Sequence, residues 1–364
     1  MKEWPEGFDL EALLAPIPGD APVGTDLRQD YSPDSPYYRL RDARAEARAA
    51  ERAMDENGSE TGFPTQWRTV RDIATEAISS RTKDLEIAAW LTEALLRSDG
   101  LIGLVSGFRL MTGIAERFWE DFFPQPDEDG LAGRLAPVAG LNGIGGEGSL
   151  IQPLRRIVLF PRPDGAPLEF WEYLRSAEVA GIGDAERRQQ RLDSGVLPFD
   201  VVQNEARAAG SALFEALRAR AAEATEAWRE LAQVFDSRAG ADSPPTSRIL
   251  GLLEQIGEVA KTFVTPETGA PEEPSSLSDQ GTELAIPAPA PGGIVSREEA
   301  LRALAQIADF FRRTEPLSPI TYTLQEAVRR SRMTWPELLE EIVPDPASRS
   351  AILSSLGIRP PASE

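Results

Sequence analysis

Residues 83–96 read KDLEIAAWLTEALL. Within them Leu85, Ala88, Trp90, Leu91, Ala94 and Leu95 recur at helical spacing and form a broad apolar face. An equally strong pattern lies on each side. Upstream, Trp67, Val70, Ile73, Ala74, Ala77 and Ile78 share one stripe. Downstream, Leu101, Leu104, Val105, Phe108, Met111, Ile114, Ala115, Phe118 and Trp119 share another, until Pro124 and Pro126 end it. Three amphipathic helices with short connections predict an antiparallel stack.

Further out the patterning changes. Residues 13–30, LLAPIPGDAPVGTDLRQD, are too rich in Pro, Gly and Asp for a long helix and read as an extended arm. A polar, alanine-rich helix follows from about Ser35 to Met54, its exposed face alternating Arg and Glu, and then a loop from Glu56 to Gly62. The stretch from Leu131 to Pro167 reads as less regular. Its apolar run Ile157–Phe160 fits either a strand or a buried turn of helix, and periodicity does not decide between them. Helical spacing returns over Leu168–Val179. It strengthens from Val201 to Phe235, with Leu213, Phe214, Leu217, Trp228 and Leu231 on one face, and a last helix spans Ser247–Phe263.

Residues 265–293 hold six prolines and five acids, with no Lys, Arg or aromatic residue. That composition predicts a disordered linker, roughly 30 Å across as a coil and about 90 Å as extended polyproline. Beyond it the punctuation is helical again. Ser296–Glu299 and Thr334–Glu337 are capping boxes, Ser318-Pro319 and Asp345-Pro346 are helix starts, and Gly357 is a stop. Leu301, Leu304, Ala308 and Phe311 mark the stripe of the first helix. The expected fold class is therefore all-α. It comprises an antiparallel helical N-terminal domain (1–150), a helical middle region (151–264), the linker (265–293) and a small four-helix C-terminal domain (294–364). A unit of about 60 residues is at the low end of independent stability. We therefore expect this domain to form a homo-oligomer, with Trp335, Leu338, Leu339, Ile342 and Val343 as the candidate interface.

Composition bounds the chemistry. There is no histidine and no cysteine in 364 residues. The usual near-neutral acid/base, thiolate nucleophiles, zinc thiolate sites and disulfides are all removed. Carboxylate or magnesium chemistry remains possible in principle, so a carboxylate-dependent hydrolase stays as one alternative and a monomeric adaptor or chaperone as another. No catalytic, cofactor-binding or metal-binding residues are assigned. The formal charge of −21 disfavours nucleic acid and anionic membranes as partners. Acids and a proline occupy the N-terminus where a signal peptide needs an apolar run, and no stretch approaches the ~18 apolar residues of a membrane span. A cytoplasmic location is expected.

Several motifs invite sharper readings and yield to plainer ones. Asn142–Ser149 (NGIGGEGS) is glycine-rich, but no Lys-Ser/Thr follows and Glu147 would repel phosphate, so it reads as a flexible turn. Pro126–Gly130 (PDEDG) lacks the alternating ligands of a cation loop and reads as an acidic loop ending a helix. Adjacent pairs such as Glu298-Glu299 and Glu340-Glu341 diverge on a helix and read as solvated surface. Trp67, Trp90, Trp119, Trp171 and Trp228 read as core. Arg329-Arg330-Ser331-Arg332 reads as a helix C-terminal dipole partner.

The segments Leu13–Asp20 and Gly24–Arg28, with Lys83–Leu96, Gly100–Leu104, Phe118-Trp119, Phe123-Pro124 and Pro126–Asp129, resemble the ImpA N-terminal domain of TssA proteins in type VI secretion. Order and spacing agree over roughly residues 8–150. Arg312–Pro319 and the Leu338-Leu339 helix resemble the short TssA tail. The resemblance implies a non-enzymatic assembly protein whose C-terminal region forms rings. It also implies an N-terminal domain that contacts partners among the baseplate, tube and sheath proteins, and that family has no catalytic residues to carry over.

Overall fold

A computed structural model describes residues 4–264, apart from 33, 58–62, 127, 129 and 145, together with scattered positions between 301 and 349. The chain divides into two units, residues 1–270 and 271–364. In the first, a short helix α1 (Leu10–Leu14) opens the arm, which runs through a 3-10 turn at Leu27–Gln29. The arm lies against the helices because its apolar residues, Leu13, Leu14, Ile17, Val23 and Leu27, are all buried.

Helices α2 (Pro36–Asn57) and α3 (Gln66–Ser80) follow, and then α4 (Leu85–Arg117). The two helices expected at 85–95 and 101–119 are the two arms of α4, broken at Gly100, where φ 63° and ψ −142° are open only to glycine. The arms fold back on each other closely. A Cβ added to Gly103 would lie 2.1 Å from the Leu95 carbonyl oxygen, and one on Gly107 would lie 2.4 Å from Thr92 Oγ1. Sides of α4 that face every direction are buried, so it is the axis of the core. It packs on α3 and, downstream, on α10, while α2 packs on α3.

The region expected to be irregular contains a helix, α5 (Gly130–Asn142), with Pro137 inside it, and a short α6 (Ile151–Arg155). Gly133, Pro137 and Gly140 mask the helical signal, while burial of Leu135, Val138 and Leu141 supplies the stabilisation. An all-α reading also needs correction. Residues Val158–Pro161 form strand β1, paired antiparallel with β2 (Pro167–Glu169) in the register Phe160–Leu168. The open choice at Ile157–Phe160 is thus resolved as strand, with Leu159 and Phe160 buried. The fold is mostly α with one small hairpin.

Helix α7 (Phe170–Ala180) leads to α8 (Ala185–Asp193), which has no buried residue and so no apolar stripe to read in the sequence. The long segment from Val201 is two helices, α9 (Phe199–Ala209) and α10 (Ser211–Ala239), separated at Gly210, and α11 (Ser247–Thr262) closes the unit against α10. Phe108 packs on Trp228 with tilted rings 4.7 Å apart between centroids, and one apolar core runs from Leu13 to Phe263. Among the described residues no helix is long and apolar enough to cross a membrane.

The linker at 265–293, the capping boxes at 296–299 and 334–337, and Trp335, Ile342 and Val343 lie outside the described residues. Leu301, Leu304 and Ala308 are helical, with Ala308 buried. Leu338 and Leu339 are helical too, Leu339 only 7% exposed and Leu338 half-buried.

Candidate functional site

The two segments quoted for the family resemblance meet in space. Gly24 bridges Thr82, Thr25 N–H donates to Arg81 O at 3.1 Å, and Lys83 N–H donates to Val23 O at 2.8 Å. A Cβ on Gly24 would sit 2.0 Å from the Arg81 carbonyl oxygen, so only glycine allows this approach. The turn that follows points Arg28 at the start of α4. Its guanidinium donates to Asp84 at 2.6 and 3.2 Å and to Glu86 at 2.6 Å, and it lies 4.9 Å over the Tyr37 ring. Tyr37 Oη donates to Glu86 at 3.1 Å. Asp84 also caps α4, accepting from the N–H groups of Glu86 and Ile87.

Electrostatics follow from burial. Burial pushes the Asp84 carboxyl above its ordinary value, against the pull of Arg28. Burial likewise opposes charge on Arg28, but Asp84 and Glu86 outweigh it and hold the proton more firmly. Lys83, wholly buried, donates to Leu13 O at 2.7 Å and Ile78 O at 2.8 Å. Burial lowers its pKa to about 8. These contacts fasten arm, α3 and α4 together. Chemically the junction is a clamp: each carboxylate is occupied by a guanidinium, a phenol or a helix terminus. Among the described residues no group of His, Cys, Asp or Glu could hold a metal ion.

A groove of about 590 Å³ opens at the tip of the α4 hairpin. Leu96, Leu101 and Ile102 form one wall, and Ile157, Val158 and Leu217 the other. It therefore joins the α4 hairpin to β1 and α10, the kind of seam where binding sites concentrate. Arg97, Arg156 and Arg220 stand around it. Arg97 pairs with Glu51 and lies 3.9 Å over Trp67, and Arg156 pairs with Glu169.

Trp171 is not a core residue. It is 38% exposed, and its Nε1 donates to Glu169 at 2.6 Å. The buried stripe of α7 is Phe170, Tyr173, Ser176 and Val179, which places Trp171 and Leu174 on the other side. Val158, 48% exposed, lines the groove, and Trp171 adjoins it through its bond to Glu169, which also lines it. Trp67, Trp90, Trp119 and Trp228 are buried as expected.

The glycine-rich turn is anchored rather than loose. Asn142 Oδ1 accepts from Ile249 N–H at 2.9 Å, Arg248 donates to Gly146 O at 2.7 Å, and Ser149 Oγ donates to Glu93 at 2.5 Å. It ties α5 to α11 and to α4. Arg329 and Arg330 end a helix, as expected for a dipole partner, and both pair with Glu326 and Glu341. Asp127 and Asp129 of the acidic loop lie outside the described residues.

Residues 14–143 match the family described as ImpA, N-terminal, type VI secretion system. The chain is also 25% identical over 348 residues to the type VI secretion system component TssA1 of Pseudomonas aeruginosa, covering 94% of this chain and 97% of that protein. The N-terminal region thus matches the ImpA family model, and the chain resembles TssA1 over nearly the whole of both proteins. A solved TssA fragment from Burkholderia cenocepacia, its N-terminal domain including the conserved ImpA_N region, superposes with a TM-score of 0.58. It is 26% identical, and the match covers 72% of this chain and 94% of that one. Both walls of the Arg28–Asp84 junction lie inside the ImpA match. The groove does not: Leu96, Leu101 and Ile102 belong to it, whereas Ile157, Val158 and Leu217 lie beyond.

Proposed function

We propose that this chain is a structural, non-enzymatic component of a type VI secretion system. On this reading it assembles through its C-terminal unit into a ring and engages baseplate, tube and sheath proteins in the cytoplasm through its N-terminal unit. The likeness to TssA1 over nearly the whole of both chains carries the reading. The Arg28–Asp84–Glu86 junction supports it, because Arg28, Lys83, Asp84 and Glu86 of the signature segments are engaged in holding the arm to α4. The groove beside Val158 and Trp171 is the surface we assign to partner contact. Leu338, half-buried on its helix, is assigned to contact between copies.

The test is purification of the tagged full-length chain, after cross-linking, from cells with an active secretion system, together with light scattering of the pure protein. Enrichment of baseplate, tube or sheath proteins and a mass several times the monomer are expected. A monomer that enriches none of them would overturn the proposal.

A further inference from the structure

Helix α2 presents Arg41, Arg44, Arg48 and Arg52 on one stripe, spanning roughly 16 Å at the helical rise. The helix as a whole balances five arginines against five acids, so in a chain of −21 it is locally neutral, with four of the arginines gathered on this stripe. Aromatic rings flank its N-terminal end: Arg41 lies 5.0 Å over Tyr38, and Arg44 lies 5.4 Å over Trp90. Tyr31, 83% exposed, packs on Tyr38 at 6.5 Å. Arginine and tyrosine are both enriched at interface hot spots, while the buried Trp90 backs Arg44 from the core.

Arg48 differs from its neighbours. It is half-buried, yet among the described residues it makes no hydrogen bond or ion pair. The nearby carboxylate, Glu93, is already occupied: Arg44 binds both its oxygens at 2.7 and 2.8 Å, and Ser149 takes a further contact. Burial lowers the pKa of Arg48; Glu93 opposes this, and the guanidiniums of Arg44, Arg97 and Arg52 add to it. A half-buried cation without a counter-ion costs free energy that a partner's carboxylate would recover.

We infer that this face of α2 docks an acidic segment of a partner protein, one of whose carboxylates pairs with Arg48. Carboxylates spaced by helical turns match the arginines at 41, 48 and 52, Arg44 being held by Glu93, and the tyrosines supply contact area at the end of the stripe. The inference stands independently of the secretion role.

The probe is a fluorescein-labelled helical peptide of Ala, Leu and Glu with one glutamate face, titrated against the full-length chain by anisotropy at low and high salt. Its control carries Gln for Glu. The acidic peptide is expected to bind at least about tenfold more tightly than the control and to weaken with salt. Arg48→Gln should lower its affinity roughly tenfold, and Arg48→Lys should retain most of it. Arg229→Gln, a charge loss on α10 at the exposed Arg229–Glu254 pair, should change nothing. Circular dichroism of each variant confirms that it is folded. Equal binding of both peptides, equal effects of Arg48→Gln and Arg229→Gln, or tighter binding of an oligonucleotide than of the acidic peptide would overturn the inference.

Discussion

Replacing Arg28 with methionine tests the junction that carries the family signature. The substitution removes hydrogen bonds of 2.6 and 3.2 Å to Asp84 and one of 2.6 Å to Glu86. A buried carboxylate stripped of its cation costs ~3–5 kcal/mol. Two features favour the lower end. Asp84 keeps the N–H groups of Glu86 and Ile87, and the Arg28 side chain is 23% exposed. A loss of ~3 kcal/mol should lower the melting temperature of a unit this size by roughly 6–12 °C. Acid should narrow the deficit. Asp84 already has a raised pKa, and losing Arg28 raises it further, so the folded variant takes up a proton before the unfolded chain does. Its stability relative to the parent therefore improves as pH falls. Asp84→Asn keeps the helix cap but removes the charge, so in the Arg28→Met background it should recover ~1–3 kcal/mol. Urea denaturation of the four proteins, followed by circular dichroism, completes the cycle. Effects that add to within ~0.5 kcal/mol would refute the ion-pair reasoning.

Three further outcomes are expected. Gly103→Ala should destabilise by ~1–3 kcal/mol in thermal denaturation, because the new methyl meets a backbone carbonyl rather than a side chain that can move. Lys83→Met should remove a pH dependence. Between pH 8 and 10.5 the unfolded chain binds a proton that the folded parent has released, so the parent gains ~3 kcal/mol across that window and the variant should not. If the C-terminal unit assembles as proposed, Leu338→Glu should give monomers in light scattering while helix content is kept, whereas Leu339→Glu, at a buried position, should lower helix content as well.

The helices of the core were legible because each buries a stripe that recurs at helical spacing. The wide apolar face at 85–95 was also a sound signal of burial from several sides, as Leu85, Trp90, Leu91 and Leu95 show. Helix α5 was hidden by Gly133, Pro137 and Gly140, whose local preference is overridden by burial of Leu135, Val138 and Leu141. Trp171 could have been placed correctly by registering α7 on Phe170, Tyr173 and Val179, which leaves the indole off the stripe. The groove had no local signature, since its walls come from positions as distant as Leu96 and Leu217. Nor could the sequence separate Arg48 from the other arginines of α2. That no described residue pairs with it depends on Arg44 occupying Glu93, 49 residues from Arg44 in sequence.

Deleting the gene in the organism that carries it, and following sheath assembly by fluorescence and tube-protein release into the medium, tests the assembly role most directly. Loss of both, with recovery when the parent chain is restored, is the expected result. Sheaths that form at the usual frequency without the protein, with tube protein still released, would contradict it.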